Sequence, residues 1–518
     1  MIAQRRECGS RTRCVKVLLS SSKKLSTWGC SVGVAILRPP ESIKGECLSF
    51  TPHWMSYAMP RILQWSITVA LAGFLFGFDT AVISGADTSL QSQWGLSDLM
   101  HGLVIMSMAL WGTVIGAIFG NWPTDHFGRR ATLIGIGILY LVSALGSALA
   151  TDPYLFSFFR LLGGLGVGAS SVAAPIYISE IAPRERRGAL VGLYQFNVVF
   201  GIVIAFVSNY FIGFMDGENW RWMLGVEAVP AALYLLMICK VPRSPRWLIL
   251  KRNDEAAAAE IIRLINPKAD IAEEIAIIRG TESEESAKQH TRLFAWRYRL
   301  PILFAFLIAA FNQLSGINFI IYYAPRILAE AQLESSAALL STAGIGVINL
   351  VFTMLGMSLI DKLGRRTLIL IGSAGYLLSL CLIAWAFHLE DFSAMGGYGV
   401  PILLGVFIAA HAMSQGTVIW VFISEIFPNK VRAMGQSFGS SVHWIFAALI
   451  ALLMPTILSQ FSGGPVFAFF AFMMLLQLIF VLFFMPETKG VSLEELQGRL
   501  VRPTRHHATE DHAEISRH

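Results

Sequence analysis

Hydrophobic residues along this chain gather into long stretches with few or no charges. From residue 62 onward such stretches recur about every thirty to forty positions, each close to the roughly twenty residues that a helix needs to cross a bilayer. Twelve crossings are predicted: 62–84, 101–121, 131–150, 153–178, 189–213 and 222–240, then 300–323, 338–360, 367–388, 398–424, 435–458 and 465–485. Between the two sets of six lies the one long hydrophilic interior stretch, 241–299. Its Ile pairs alternate with charges from Asp254 to Gly280, which predicts short amphipathic helices under the bundles.

Composition agrees with this pattern: 55% of residues are hydrophobic and only 14% charged, far outside the range of a soluble domain. Charge orients the crossings, because basic short loops resist translocation. Arg129 and Arg130, Arg184 to Arg187, Lys362 to Arg366, and Lys430 with Arg432 fall on one side. The opposite loops hold Arg221 and Arg326 among the acids Asp87, Asp98, Asp152, Asp216 and Glu390. Both termini and the middle stretch are thereby placed in the cytoplasm. The net charge of +6 follows from this asymmetry and requires no nucleic-acid partner.

The expected domains are an extension at 1–58, a first six-helix bundle at 59–240, the linker at 241–299, a second bundle at 300–487 and a charged, His-rich tail at 488–518. Cys8, Cys14, Cys30 and Cys47 lie in the extension at spacings that match no usual zinc pattern, and no metal site is expected. The extension reads as a disordered tail, a targeting peptide or sequence ahead of a true start at Met55 or Met59. Cys239 and Cys381 fall in apolar helices and read as packing residues.

The chain repeats itself. Tyr177-Ile-Ser-Glu-Ile-Ala-Pro183 returns as Phe422-Ile-Ser-Glu-Ile-Phe-Pro428, and a basic residue follows each Glu by seven places, Arg187 after Glu180 and Arg432 after Glu425. Asp125-His-Phe-Gly-Arg-Arg130 returns as Asp361-Lys-Leu-Gly-Arg-Arg366. A duplicated six-helix unit in the same topology implies two halves related by an axis along the membrane normal, with a cavity between them. Asp125, Arg129, Arg130, Glu180, Arg187, Asp361, Arg365, Arg366, Glu425 and Arg432 are expected to form a cytoplasmic gate, opposite charges at helix ends meeting when it closes. Their other reading is a topological anchor through basic loops alone. No nucleophile with its base, metal cluster or cofactor motif falls in the spans, so an enzyme is not expected.

Nine motifs in order carry a resemblance: Gly77-Phe-Asp-Thr-Ala-Val-Ile-Ser-Gly85, Asp125 to Arg130, Arg160-Leu-Leu-Gly-Gly164, Glu180 to Arg187, Pro242-Arg-Ser-Pro-Arg246, Gln313 to Asn318, Asp361 to Arg366, Glu425 to Arg432 and Pro486-Glu-Thr-Lys-Gly490. From about residue 60 to 495 the chain resembles the sugar porter family of the major facilitator superfamily, which holds bacterial sugar:proton symporters and animal facilitative glucose transporters. The resemblance implies an all-α membrane protein with twelve transmembrane helices in two six-helix bundles and a cytoplasmic helical linker. It further implies a bacterial inner-membrane transporter, working as a monomer on a small sugar, with no cofactor beyond a proton as coupling ion.

A carboxylate at Asp79, in an apolar crossing, is costly unless paired or protonated. The resemblance sets Asp79 beside Arg160 and aligns Glu227 with an acid that joins them, so the three are expected to couple transport to a proton. A static ion pair, and with it uniport, is the alternative. Carried over position by position, the sugar site would comprise Gln195, Asn312, Gln313, Asn318, Tyr322, Tyr323, Asn349, Gly416, Trp420 and Trp444, amides for hydroxyls and rings for CH faces. His443 joins it as a neutral hydrogen-bond partner. The chain departs from the family pattern at Asn312, Ile202, His443, Thr417 and Arg243, so a hexose is the substrate class expected rather than a particular sugar.

Overall fold

The computed structural model describes residues 53–500 apart from 184, 268, 287–291, 390, 391, 393–396, 429 and 492. The four cysteines of the extension, Glu390 and the tail from 501 onward lie outside the described residues. Among the described residues, twelve helices are long and apolar enough to cross a membrane. In the first half they are α1 (His53–Gln93), α2 (Asp98–Phe119), α3 (Arg129–Leu149), α4 (Pro153–Ile181), α5 (Arg187–Ile212) and α6 (Asn219–Ile238). Two linker helices follow, α7 (Glu255–Ile265) and α8 (Ile271–Ser286).

In the second half the seventh crossing consists of α9 (Arg299–Leu314) and α10 (Ile317–Glu330), and α11 (Ser335–Leu363) and α12 (Arg365–Leu389) come next. The tenth crossing consists of α13 (Gly399–Met413) and α14 (Gln415–Ile426); α15 (Arg432–Gln460), α16 (Gly463–Phe483) and the short α17 (Leu493–Leu500) complete the order. Among the described residues there is no β-strand. The chain is a multi-pass membrane protein of two six-helix bundles.

Within the first bundle, small residues let backbones touch. A Cβ on Gly164 would stand 1.9 Å from the carbonyl oxygen of Ala109, and one on Gly116 2.4 Å from that of Leu165, so α2 and α4 pack without side chains between them. The halves meet along α5 and α11, where Gly346 lies against the Phe206 ring, and at one end of α2 and α15, where Gly102 lies against the backbone of Leu452. Cys239 and Cys381 are exposed on the bundle surface rather than packed inside it.

Three expectations are corrected. The first crossing continues to Gln93 instead of stopping at 84, so Asp87 is a buried helical residue and not a loop acid. Arg326 likewise lies within α10 rather than in a loop. The seventh and tenth crossings are each broken: Gly316 has φ of 88°, and Ser414 leaves the helical region with φ, ψ of −107° and −93°, which ends one helix and starts the next.

Candidate functional site

The break at Gly316 brings together residues that one straight helix would separate. Gln313, in the last turn of α9, and Asn318, in the first turn of α10, are both buried. Asn318 Nδ2 donates to Gln313 Oε1 at 2.8 Å, and Gln313 Nε2 donates to Asn312 Oδ1 at 3.0 Å. The same Nε2 lies 3.1 and 3.2 Å from the two ring nitrogens of His443 on α15. His443 continues the cluster into aromatic surface, with ring centroids 5.0 Å from Trp420 and 4.8 Å from Trp444. Trp420 is 36% exposed, the most open member, so one wall of the cluster faces accessible space.

The other expected sugar residues are spread around this centre. Phe76 of α1 packs on Trp444 at 5.6 Å and carries the aromatic wall into the first half. Tyr322 is buried with its hydroxyl unpartnered, whereas the Tyr323 hydroxyl is taken up by the carbonyl of Ala451 at 2.8 Å. Tyr323 is thus a strut between α10 and α15. Asn349 accepts from Thr353 one turn along its own helix, and Gln195 is half-buried on α5. Gly416 stands against His411, whose Nδ1 is 2.7 Å from the Tyr376 hydroxyl.

A second cluster is buried in the first half. Asp79 and Arg160 are each 2% exposed; Arg160 Nη1 donates to Asp79 Oδ1 and Arg160 Nη2 to the main-chain carbonyl of Asp79 at 3.0 Å. Glu227, at the kink between Asn219–Gly225 and Ala228–Ile238, comes within hydrogen-bonding reach of Asp79. One oxygen of Glu227 and Nε of Arg160 have no protein partner. The expected trio is therefore together.

At the basic end the charged residues form a different set of pairs from those their spacing suggests. Glu180 accepts from Arg129, at 3.0 Å, and not from Arg187, which is exposed. Glu425 accepts from Arg365 at 2.8 Å, while Nε and Nη2 of Arg432 are buried without a partner. The reason is geometric: seven residues here span a helix end and a turn, so the two side chains leave on different faces. The true partners come from α3 and α12, and each Arg also holds its own Asp, Asp125 or Asp361, four residues back. Both pairings stay inside one half, instead of joining the two.

Joining contacts occur at the opposite end, where sequence reasoning saw only loop charges. Asp87 Oδ1 is 2.6 Å from His101 Nε2, both fully buried, and Arg326 of the second half donates to Gln91 at 3.1 Å and stands 3.8 Å from Asp87. Gln91 also donates to Asp98 at 2.7 Å. Also missed was a buried amide pair, Gln415 to Gln477 at 2.7 Å and Gln477 to Ser373 at 3.2 Å, tying the broken tenth crossing to α16 and α12. Polar residues in the middle of apolar runs were the available signal.

The family model described as "Sugar (and other) transporter" matches residues 65–499. An arabinose-proton symporter of Bacillus subtilis is 36% identical over 454 residues, covering 86% of this chain and 96% of that protein. The D-xylose-proton symporter of Escherichia coli is 32% identical over 482 residues, covering 85% and 96%. Among solved structures, the inward open conformation of the xylose transporter XylE from E. coli matches with a TM-score of 0.75 at 31% identity, covering 85% of this chain and 100% of that one. The same symporter bound to 6-bromo-6-deoxy-D-glucose matches with a TM-score of 0.69.

Proposed function

Because this chain belongs to the family of sugar (and other) transporters, we propose that it carries a monosaccharide, a hexose, across the membrane by alternating access and couples that movement to a proton. The observation that carries the reading is two buried polar clusters, one in each half: Gln313, Asn318 and His443 beside Trp420 in the second, and Asp79 with Arg160 and Glu227 in the first. Amides supply partners for hydroxyls and Trp420 a flat apolar face for ring CH groups. Two carboxyls beside one guanidinium make a neutral buried cluster only when one proton is held between them, since unpaired charge at this depth is costly. Protonation of Asp79 weakens the hold of Arg160 and frees α1 and α4 to shift; deprotonation restores it.

The basic end is read as cytoplasmic and the membrane as a bacterial inner membrane, with both termini inside and the monomer as the working unit. The relatives, being bacterial, support this. The conformation is read as inward-facing, supported by the closed Gln91–Arg326 contact at the acidic end and the higher TM-score to the inward open xylose transporter. Uniport is the second reading, favoured by one observation: Arg160 also grips the main-chain carbonyl of Asp79, a bond that no proton breaks.

Uptake of a radiolabelled monosaccharide panel into proteoliposomes, with and without an imposed pH gradient, tests the proposal. Uptake driven above equilibrium by the gradient is expected. Equilibration alone would establish uniport, and no uptake of any monosaccharide would overturn the assignment.

A further inference from the structure

The duplicated halves provide an internal comparison at the corners where α3 and α12 begin. Each helix opens on Gly-Arg-Arg, with φ of 91° at Gly128 and 94° at Gly364. In each, the first Arg binds the Glu of the neighbouring helix end, and a hydroxyl donates to that same carboxylate: Ser244 to Glu180 at 2.5 Å, Thr488 to Glu425 at 2.6 Å. The second Arg reaches a main-chain carbonyl at the end of its half's last helix, Cys239 for Arg130 and Leu482 for Arg366. This register makes Ser244 the counterpart of Thr488 and Arg243 the counterpart of Glu487.

Here the halves part. Glu487 spreads its two oxygens over the helix start, accepting from Arg365 N–H at 2.9 Å and Arg366 N–H at 3.0 Å. The first half has a cation at that position, and among the described residues no carboxylate accepts from the N–H of Arg129 or Arg130. A cavity of about 150 Å³ lies at this corner, lined by Gly128, Arg129, Arg130, Arg243 and Arg252 with Trp247 behind them. Of these arginines, Arg129 alone has a carboxylate partner among the described residues. Nε of Arg130 is buried without an acceptor, Arg243 is exposed, and Arg252 rests on the Trp247 ring at 5.2 Å. The volume is about five times the ~30 Å³ share of one water, room for a tetrahedral oxyanion and part of its hydration.

We propose that this corner is a phosphate site: the phosphate group of a lipid headgroup or of a soluble phosphate takes the place that the Glu487 carboxylate fills in the second half. Guanidinium groups match phosphate oxygens in fork geometry, and the start of a 21-residue helix adds N–H groups and a favourable dipole. Ser244, next to Arg243, is bonded to Glu180, so occupancy would steady the Arg129–Glu180 corner. This inference is independent of which solute is carried.

The test uses the full-length wild type, Arg243→Glu, which writes the second half's residue into the first, and Arg243→Gln. One arm titrates inorganic phosphate into protein held in a phosphate-free maltoside detergent and follows the unfolding temperature. The other counts phospholipid retained on freshly extracted protein by native mass spectrometry. The wild type should show a saturable phosphate response or a retained phospholipid, with affinity or occupancy about tenfold or more lower in Arg243→Glu and intermediate in Arg243→Gln. A response in the first arm identifies free phosphate as the source, and one in the second alone identifies lipid. Equal responses in wild type and Arg243→Gln, or a chloride control matching phosphate, would overturn the site, whether or not Arg243→Glu folds.

Discussion

Replacing Asp79 by Asn asks whether the buried ion pair moves or merely holds. Both side chains are 2% exposed, so salt does not screen them. Asn keeps the size of the side chain and an acceptor oxygen for Arg160, and the 3.0 Å bond to the main-chain carbonyl is untouched. What is lost is the difference between a charge-assisted and a neutral hydrogen bond, about 1–2 kcal/mol. Asp79→Ala, by contrast, removes the acceptor together with the charge, leaving an Arg160 N–H buried and unpaired beside a void, a loss of about 3–5 kcal/mol, and should fold poorly. Asp79→Asn should therefore be a folded protein with altered energetics. A pH difference of one unit is worth about 1.4 kcal/mol per proton and supports about tenfold accumulation at one proton per sugar. In proteoliposomes under that gradient the wild type should approach tenfold accumulation, and Asp79→Asn should fall to an inside-to-outside ratio of about one while still exchanging labelled sugar in counterflow. Tenfold accumulation by folded Asp79→Asn would refute proton coupling at this residue.

Four further outcomes follow from the geometry. Gly316→Ala places a Cβ 2.9 Å from the Phe470 ring at φ of 88°, so it should cost at least about 1–2 kcal/mol in thermal unfolding and weaken sugar binding measured by isothermal titration. Glu425→Gln removes the charge and turns one of the two oxygens that accept from Arg365 and Thr488 into a donor, and should lower transport rate with a KM changed less than threefold, read from initial uptake rates. Arg326→Gln cuts the tie to Gln91 and Asp87, and should raise labelling of a reporter cysteine at the acidic end about tenfold. Burial works against the charged form of Glu487, but the N–H groups of Lys489, Arg365, Arg366 and Thr488 outweigh it and hold its carboxyl below the ordinary 4.5. Its contribution to stability is then fully present above that value and lost as pH falls through the lower folded one. Unfolding temperatures measured from pH 6 down to pH 3 should fall less steeply for Glu487→Gln than for the wild type.

The crossings were legible because hydrocarbon admits few charges, and the count of twelve holds. Their ends were less so. Asp87 looked like the sign of a loop, yet its charge is met inside the helix layer by His101 and Arg326, partners from α2 and α10 that spacing along the chain could not reveal. The breaks at Gly316 and Ser414 were hidden inside continuous apolar runs; Ser-Gly and Ser-Gln-Gly were the only local hints. Position-by-position transfer placed Asn312, Gln313, Asn318 and His443 in one cluster, and the structure joins them by hydrogen bonds. Tyr322 and Tyr323 look alike in sequence and differ in which way the helix turns them: the Tyr323 hydroxyl donates to the Ala451 carbonyl, and that of Tyr322 has no protein partner. The Glu–Arg spacing of seven misled for a similar reason: the partners are 51 and 60 residues away, on helices that the turn folds back alongside.

The mutual hydrogen bonding of Gln313 with Asn312, Asn318 and His443 bears on how choosy the carrier is. Strong rejection of an analogue missing one hydroxyl arises when the binding groups are stranded without partners. Here each amide that loses a ligand can fall back on its neighbour at 2.8–3.2 Å. If this cluster is the sugar site proposed above, a deoxy sugar would forfeit one bond and leave no orphan behind, and competition uptake assays should show discrimination within about tenfold per hydroxyl. On that reading the carrier is expected to draw on a mixed supply instead of selecting one solute from it.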